Sequence, residues 1–125
     1  MRVTRSCHEG EAAERAVDIM IEHQVDVVPV VNDNDSVTGV IVNDDLSRAL
    51  RRQGPGVLRM RDVMRRLGFF VCQHTEEVDQ VRRLLTERAA DFAVVLDGSG
   101  RCVGVVARRV RPEARPFEVA VALAF

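Results

Sequence analysis

Val25–Leu46, VDVVPVVNDNDSVTGVIVNDDL, holds two short apolar runs on either side of a polar turn. Val27–Val31 and Val37–Val42 are rich in β-branched valine, which favours strands. Between them Asn32, Asp33, Asn34 and Asp35 favour a tight turn and tolerate left-handed backbone. Both runs are almost continuously apolar, which predicts strands covered on both faces rather than a sheet with one wet face. Asn43, Asp44 and Asp45 follow at once, with the chemistry to cap and charge the start of a helix. A strand ending at a helix N-terminus beside a carboxylate is a common frame for a small-ligand pocket.

Working outward, the same pattern occurs twice. Upstream, Val3–Cys7 reads as a first strand, and Glu11–His23 as a helix with Ala13, Ala16, Val17 and Met20 on one face. Downstream, Asp44–Arg52 reads as a second helix, broken by Gln53-Gly54-Pro55-Gly56. Arg61–Leu67 (RDVMRRL) reads as a short helix leading into a strand at Phe69–Cys72. Thr75, Glu76 and Glu77 then suit a helix start, and Val78, Val81, Leu84 and Leu85 supply its apolar face. Phe92–Leu96, Asp97-Gly98-Ser99-Gly100 and Cys102–Ala107 repeat the strand–turn–strand unit.

The two copies align without a gap at a spacing of 65 residues, pairing Cys7 with Cys72, Glu11 with Glu76, Glu22 with Glu87, Asp26 with Asp91, Val30 with Val95, Gly39 with Gly104 and Val40 with Val105. Self-similarity of this kind means two copies of one supersecondary unit. Each is too small to bury its own sheet, so the copies are expected to pack about a pseudo-twofold axis, with a ligand cleft between them. The expected fold class is α/β (α+β), two β-α-β-β-α repeats. The first repeat, with a short lead-in, occupies 1–53, a linker 54–60, the second repeat 61–111, and an apolar tail 112–125.

Composition narrows the function. With 46% hydrophobic and 30% charged residues, the chain has a globular rather than a disordered composition. A formal net charge of −1 gives no pull toward nucleic acid or an anionic membrane. All 18 basic residues are arginine, Trp and Tyr are absent, and only five Phe occur, so no stacking platform for single-stranded nucleic acid is expected. No apolar run is long enough to span a membrane and Met1 opens no signal-peptide pattern, which together predict a cytosolic protein. The three cysteines, Cys7, Cys72 and Cys102, form no CxxC pair or disulfide framework.

With these residues in place, the chain resembles the cystathionine-β-synthase (CBS) domain family. The likeness lies in EHQVDVVPVV and GVIVNDDL of the first copy, and in RDVM, ERAADFAVVLD and GVVARRV of the second. It spans roughly residues 3–110. The resemblance implies a regulatory pair, a Bateman module, without catalytic residues or cofactor, that binds an adenosine-containing ligand (AMP, ADP, ATP or S-adenosylmethionine) between its halves and forms a homodimer.

The family's ligand motif is Gly, two apolar residues, Thr or Ser, two variable residues and Asp. Here Gly39 and Asp45 are kept while Val42 replaces the hydroxyl. In the second copy Gly104 is kept, Ala107 replaces the hydroxyl and Val110 the carboxylate. The resemblance therefore implies a single weak site centred on Asp45, with Gly39, Val42, Val27, Val28 and Pro29 around it and Arg108 and Arg109 offering charge to a phosphate. Losing one hydroxyl contact weakens such a site by about 0.5–1.5 kcal/mol.

Blander readings stand beside these. Asp45 also suits plain helix capping, and Asp26 and Asp91 suit loops before strands. Arg48, Arg51, Arg52, Arg59, Arg61, Arg65 and Arg66 read as a solvated face, or as an anion or partner surface. Cys7-His8 and Cys72-x-His74 suit buried thiols, with a metal or redox switch as the alternative. Pro112 and Pro116 oppose a closing helix in the second copy, and Phe117–Phe125 alternates like a strand that pairs at home or with a neighbour. Without a ligand, the chain reads instead as a dimerisation or docking module.

Overall fold

The computed structural model describes residues 2–108. Eleven short elements follow in the order β1 (Arg2–Val3), β2 (Cys7–His8), α1 (Glu14–His23), β3 (Val27–Val31), β4 (Val37–Val42), α2 (Asn43–Gln53), α3 (Met60–Val63), β5 (Phe69–Gln73), α4 (Val78–Glu87), β6 (Phe92–Leu96) and β7 (Cys102–Ala107). They build two small sheets, of order β2-β3-β4 and β1-β7-β6-β5. The fold is α/β.

The repeat is visible bond by bond. Cys7 pairs in parallel with Val30, and Cys72 with Val95. Val27 faces Val42 and Val30 faces Gly39; sixty-five residues on, Phe92 faces Ala107 and Val95 faces Gly104, and both hairpins shift register at the same step. The turns repeat too. Asn32 Oδ1 accepts the amides of Asn34 and Ser36, and Asp97 Oδ1 accepts those of Ser99 and Arg101. A short side-chain acceptor closing the turn explains why Asn and Asp both serve at this position.

Strand sides alternate, so each sheet has two faces to cover. On β3, Val28 and Val30 pack with Ala16, Ile19 and Met20 of α1 and Leu46 and Leu50 of α2. On β6, Ala93 and Val95 pack with Val81 and Leu85 of α4. The opposite faces meet one another: Val27, Val40 and Val42 of the first copy pack on Val94, Cys102 and Val105 of the second. The strands read as continuously apolar because a helix covers one face and the sister copy covers the other.

Each lead-in crosses to the other copy. β1 pairs with β7, while Arg65, just past α3, exchanges backbone hydrogen bonds with Val40 of β4 at 2.8 and 3.0 Å. This crossing shortens α3. The sequence predicts a helix over Arg61–Leu67, but it ends at Val63, where the chain extends to reach β4, and Met60 and Met64 sink into the first copy's core. The predicted first strand is likewise split between the sheets as β1 and β2. α1 and α4 begin at Glu14 and Val78, later than predicted, with no side-chain cap from Thr75. The Glu11 carboxylate instead accepts the His8 amide, and the Glu76 amide turns back onto Gln73. The predicted tail strand, with Pro112 and Pro116, lies outside the described residues.

Gly39 sits under this crossing. A Cβ there would lie 2.7 Å from the Arg65 carbonyl oxygen and 2.9 Å from Met64 Sδ. The first is backbone and cannot swing aside. Gly39→Ala is therefore expected to push the lead-in off β4 and cost about 1–3 kcal/mol, as overpacking does, read by urea denaturation. Unchanged stability with retained Val40 and Arg65 amide protection would overturn this account.

Candidate functional site

At one end of the seam, where β3 and β6 start and β4 and β7 finish, a cleft of about 220 Å³ opens between the copies. Repeat-related residues face each other across it, Asp26 with Asp91 and Val42 with Ala107, and Asp44, Arg65, Phe92 and Arg108 complete the wall. The backbone holding these corners is duplicated as well: the Asn43 amide donates to the Asp26 carbonyl at 2.8 Å, and the Arg108 amide to the Asp91 carbonyl at 2.9 Å.

α2 starts directly after β4, so Asp44 and Asp45 fall in its first turn, where the helix dipole favours negative charge. The crossing of the lead-in then lays Arg65 beside that turn. Arg65 Nε donates to Asp45 Oδ2 at 2.6 Å and Nη2 to Oδ1 at 3.1 Å, a bidentate pair. The hydrogen bond to Asp45 holds the Arg65 guanidinium above its already high ordinary pKa. Asp45 is one-fifth exposed and Arg65 about two-fifths, 20% and 42%, so the pair is screened only in part. The network runs on. Arg65 Nη1 lies 3.9 Å from Asp91, and Arg108 Nη2 donates to Asp91 at 3.1 Å. Arg48 reaches Asp45 at 3.9 Å. Carboxylates and guanidinia thus alternate from α2 of the first copy to β7 of the second.

Of the residues expected around a ligand, Val42 and Arg108 line the cleft. Asp45 does not line it: it borders a separate pocket with Arg48, Ala49, Arg52, Asp62 and Val63, and is tied to the cleft through Arg65. Val27 packs in the seam, Val28 in the first copy's own core, and the buried Pro29 accepts the Cys7 thiol on its carbonyl. Gly39 lies under Met64 and Arg65. Arg109 is outside the described residues. The cleft also gathers Asp26, Asp91, Phe92 and Arg65, which sequence reasoning did not select. For the two aspartates the signal was their pairing by the repeat at the mouths of equivalent strands. For Arg65 it was the place directly after RDVM, within an arginine run otherwise read as a solvated face.

The three thiols are free and buried. Desolvation, with the Glu11 charge adding to it, pushes Cys7 up to about 12, and desolvation pushes Cys102 up to about 11. Burial raises Cys72 as well. Neutral thiols are poor nucleophiles and poor metal ligands. Among the described residues no three of His, Cys, Asp and Glu converge as a metal site, and no helix is long and apolar enough to cross a membrane.

The CBS domain family model matches residues 4–52 and 60–109. The chain belongs to the CBS domain family, as a tandem pair. An uncharacterized protein of Methanopyrus kandleri is 28% identical over 116 residues, covering 89% of this chain; the chain spans 59% of that relative's length. The CBS domain of a CBS domain containing membrane protein from Sphaerobacter thermophilus superposes with a TM-score of 0.68 at 19% identity, covering 97% of this chain and 82% of that one. A CBS domain pair in complex with 5′-methylthioadenosine and S-adenosyl-L-methionine gives 0.62 at 23% identity, covering 84% and 82%. At these identities the likeness is one of fold.

Proposed function

We propose that this CBS pair is a regulatory module that takes one adenosine-containing ligand in the cleft beside Asp45 and passes its occupancy on as a change in the angle between the copies. The observation that carries this reading is the Asp45–Arg65–Asp91–Arg108 network. It joins both copies across the cleft, so a ligand that rearranges it acts on both at once. A ribose binds a carboxylate by donating its hydroxyl protons, and Asp45 is the acceptor that the family motif leaves. To accept a ribose, Asp45 must exchange Arg65 for it. The released guanidinium then stands next to Arg108, where both serve a phosphate. The fold-level neighbour that binds adenosyl compounds supports this class of ligand. Such a module is expected to act as a cytosolic homodimer, which sedimentation checks.

Arg65 therefore competes with a ribose but assists a phosphate. Arg65→Ala is expected to tighten adenosine about tenfold, the worth of one charged hydrogen bond discounted for exposure, and to weaken AMP. Asp45→Ala should abolish both. Calorimetric titration with adenosine, AMP, ADP, ATP and S-adenosylmethionine separates these outcomes. No heat with any of them, in the wild type and in Arg65→Ala, sinks the sensor.

Three observations favour a second reading, a ligand-free dimerisation or docking module. Asp45 already has its bidentate partner, and Val42 and Ala107 leave the wall without the motif's hydroxyls. The cleft volume also lies below the roughly 300–1,000 Å³ usual for ligand pockets. In that case Arg65→Ala loosens the copies without creating any affinity.

A further inference from the structure

The seam has a second mouth at the opposite end of the same strands. There β3 and β6 finish, β4 and β7 begin, and a cleft of about 510 Å³ opens, more than twice the volume of the first. Its floor is apolar and duplicated: Val31 matches Leu96 and Val37 matches Cys102 across the repeat. Cys102 belongs to the inter-copy cluster that packs the seam, and the partly buried Val37 and Leu96 pack against it, so the floor is shared by both copies. Arg5, on the crossing between β1 and β2, and Arg101, on the β6–β7 turn, stand at the rim against one lining carboxylate, Asp35. The nearby Asp97 carboxylate is taken up inside its own turn by the Ser99 hydroxyl and amide and the Arg101 amide. Arg5 has a long, exposed contact with Glu22 at 3.7 Å, which costs little to give up.

We propose that this turn-side cleft is a binding site for a small organic anion with a flat apolar body, an aryl phosphate or aryl carboxylate. The body lies on the Val31, Val37, Leu96 and Cys102 floor and the head group meets the two guanidinia at the rim. The volume falls in the range of small-molecule sites, and the lining sets Val31, Val37, Leu96 and Cys102 beside Arg5, Ser6, Asp35, Ser99 and Arg101. A planar guanidinium fork holds carboxylate or phosphate in two parallel hydrogen bonds. The site owes nothing to Asp45 or its motif, and it stands whether or not the first cleft binds a nucleotide.

The test is a nitrogen-15 NMR titration of the full chain with phenyl phosphate, with benzoate, and with inorganic phosphate. Saturable shifts of the Ser6, Gly100 and Arg101 amides are expected with at least one aryl anion, and the stronger of the two identifies the head group. Arg101→Ala should weaken that binding about tenfold, and Val37→Phe, which fills the floor, should abolish it while the spectrum stays folded. Inorganic phosphate should bind more weakly, for want of the apolar contact. An equal response to inorganic phosphate, shifts confined to the Asp26–Asp91 mouth, or unchanged binding in Arg101→Ala would each overturn the proposal.

Discussion

Val94→Asp is expected to cost about 3–5 kcal/mol of folding stability, the penalty of a buried charge without a partner. A domain of this size holds about 5–15 kcal/mol in all. Val94 has no exposed surface and stands at the centre of β6, on the face turned to the sister copy. Around it lie Val27, Val40, Val42 and Val105, two strands from one copy and one from the other, so an aspartate there would be set among valines. Val94→Ala separates charge from volume. It removes two methyl groups at the same place and should cost about 2 kcal/mol. The comparison tests the architecture itself. If Val94 faced water, both variants would unfold in urea at the wild-type midpoint. If it faced its own helix, Val95→Asp on the same strand, which packs on α4, would be the harmless one. Both substitutions are expected to be severe, because neither face of this strand is wet.

That double covering is also what made the strands legible. A run such as Val27–Val31, apolar at every position and bounded by turn residues, leaves little choice of element or limits, and β3, β4, β6 and β7 lie where the sequence places them. The repeat then carries register, since one hairpin predicts the other bond for bond. Helix starts were less legible. Thr75-Glu76 has the chemistry of a cap, yet a turn forms first and α4 begins at Val78, because local propensity at a helix end is worth only about 1 kcal/mol and a neighbouring backbone partner outweighs it. The state of Asp45 was not legible at all. Twenty residues separate it from Arg65, and only the crossing of the lead-in onto β4 brings them together. A motif shows which side chains a site has kept. It does not show which neighbour has already engaged them.

Raising the pH from about 9 to 11 is expected to remove about 4 kcal/mol of stability through the thiols alone. Cys7, at about 12, and Cys102, at about 11, lie above the ordinary thiol value of 9.0 because burial disfavours their charged form. In the unfolded chain both ionise near 9. Their contribution is therefore whole below about pH 9 and is lost as the pH climbs through 11 and 12, at up to about 1.4 kcal/mol per pH unit for each thiol. In most proteins lysine and tyrosine titrate over the same span and obscure such a slope. Here the chain has no tyrosine and its 18 basic residues are all arginine, so the window belongs to the cysteines. Urea denaturation at half-unit steps of pH reads the slope directly. Cys7→Ala and Cys102→Ala should each flatten it, whatever either does to stability at neutral pH. A wild-type slope no steeper than that of the two variants would mean that Cys7 and Cys102 ionise as readily in the fold as in the unfolded chain, and would restore the metal or redox switch that their burial now argues against.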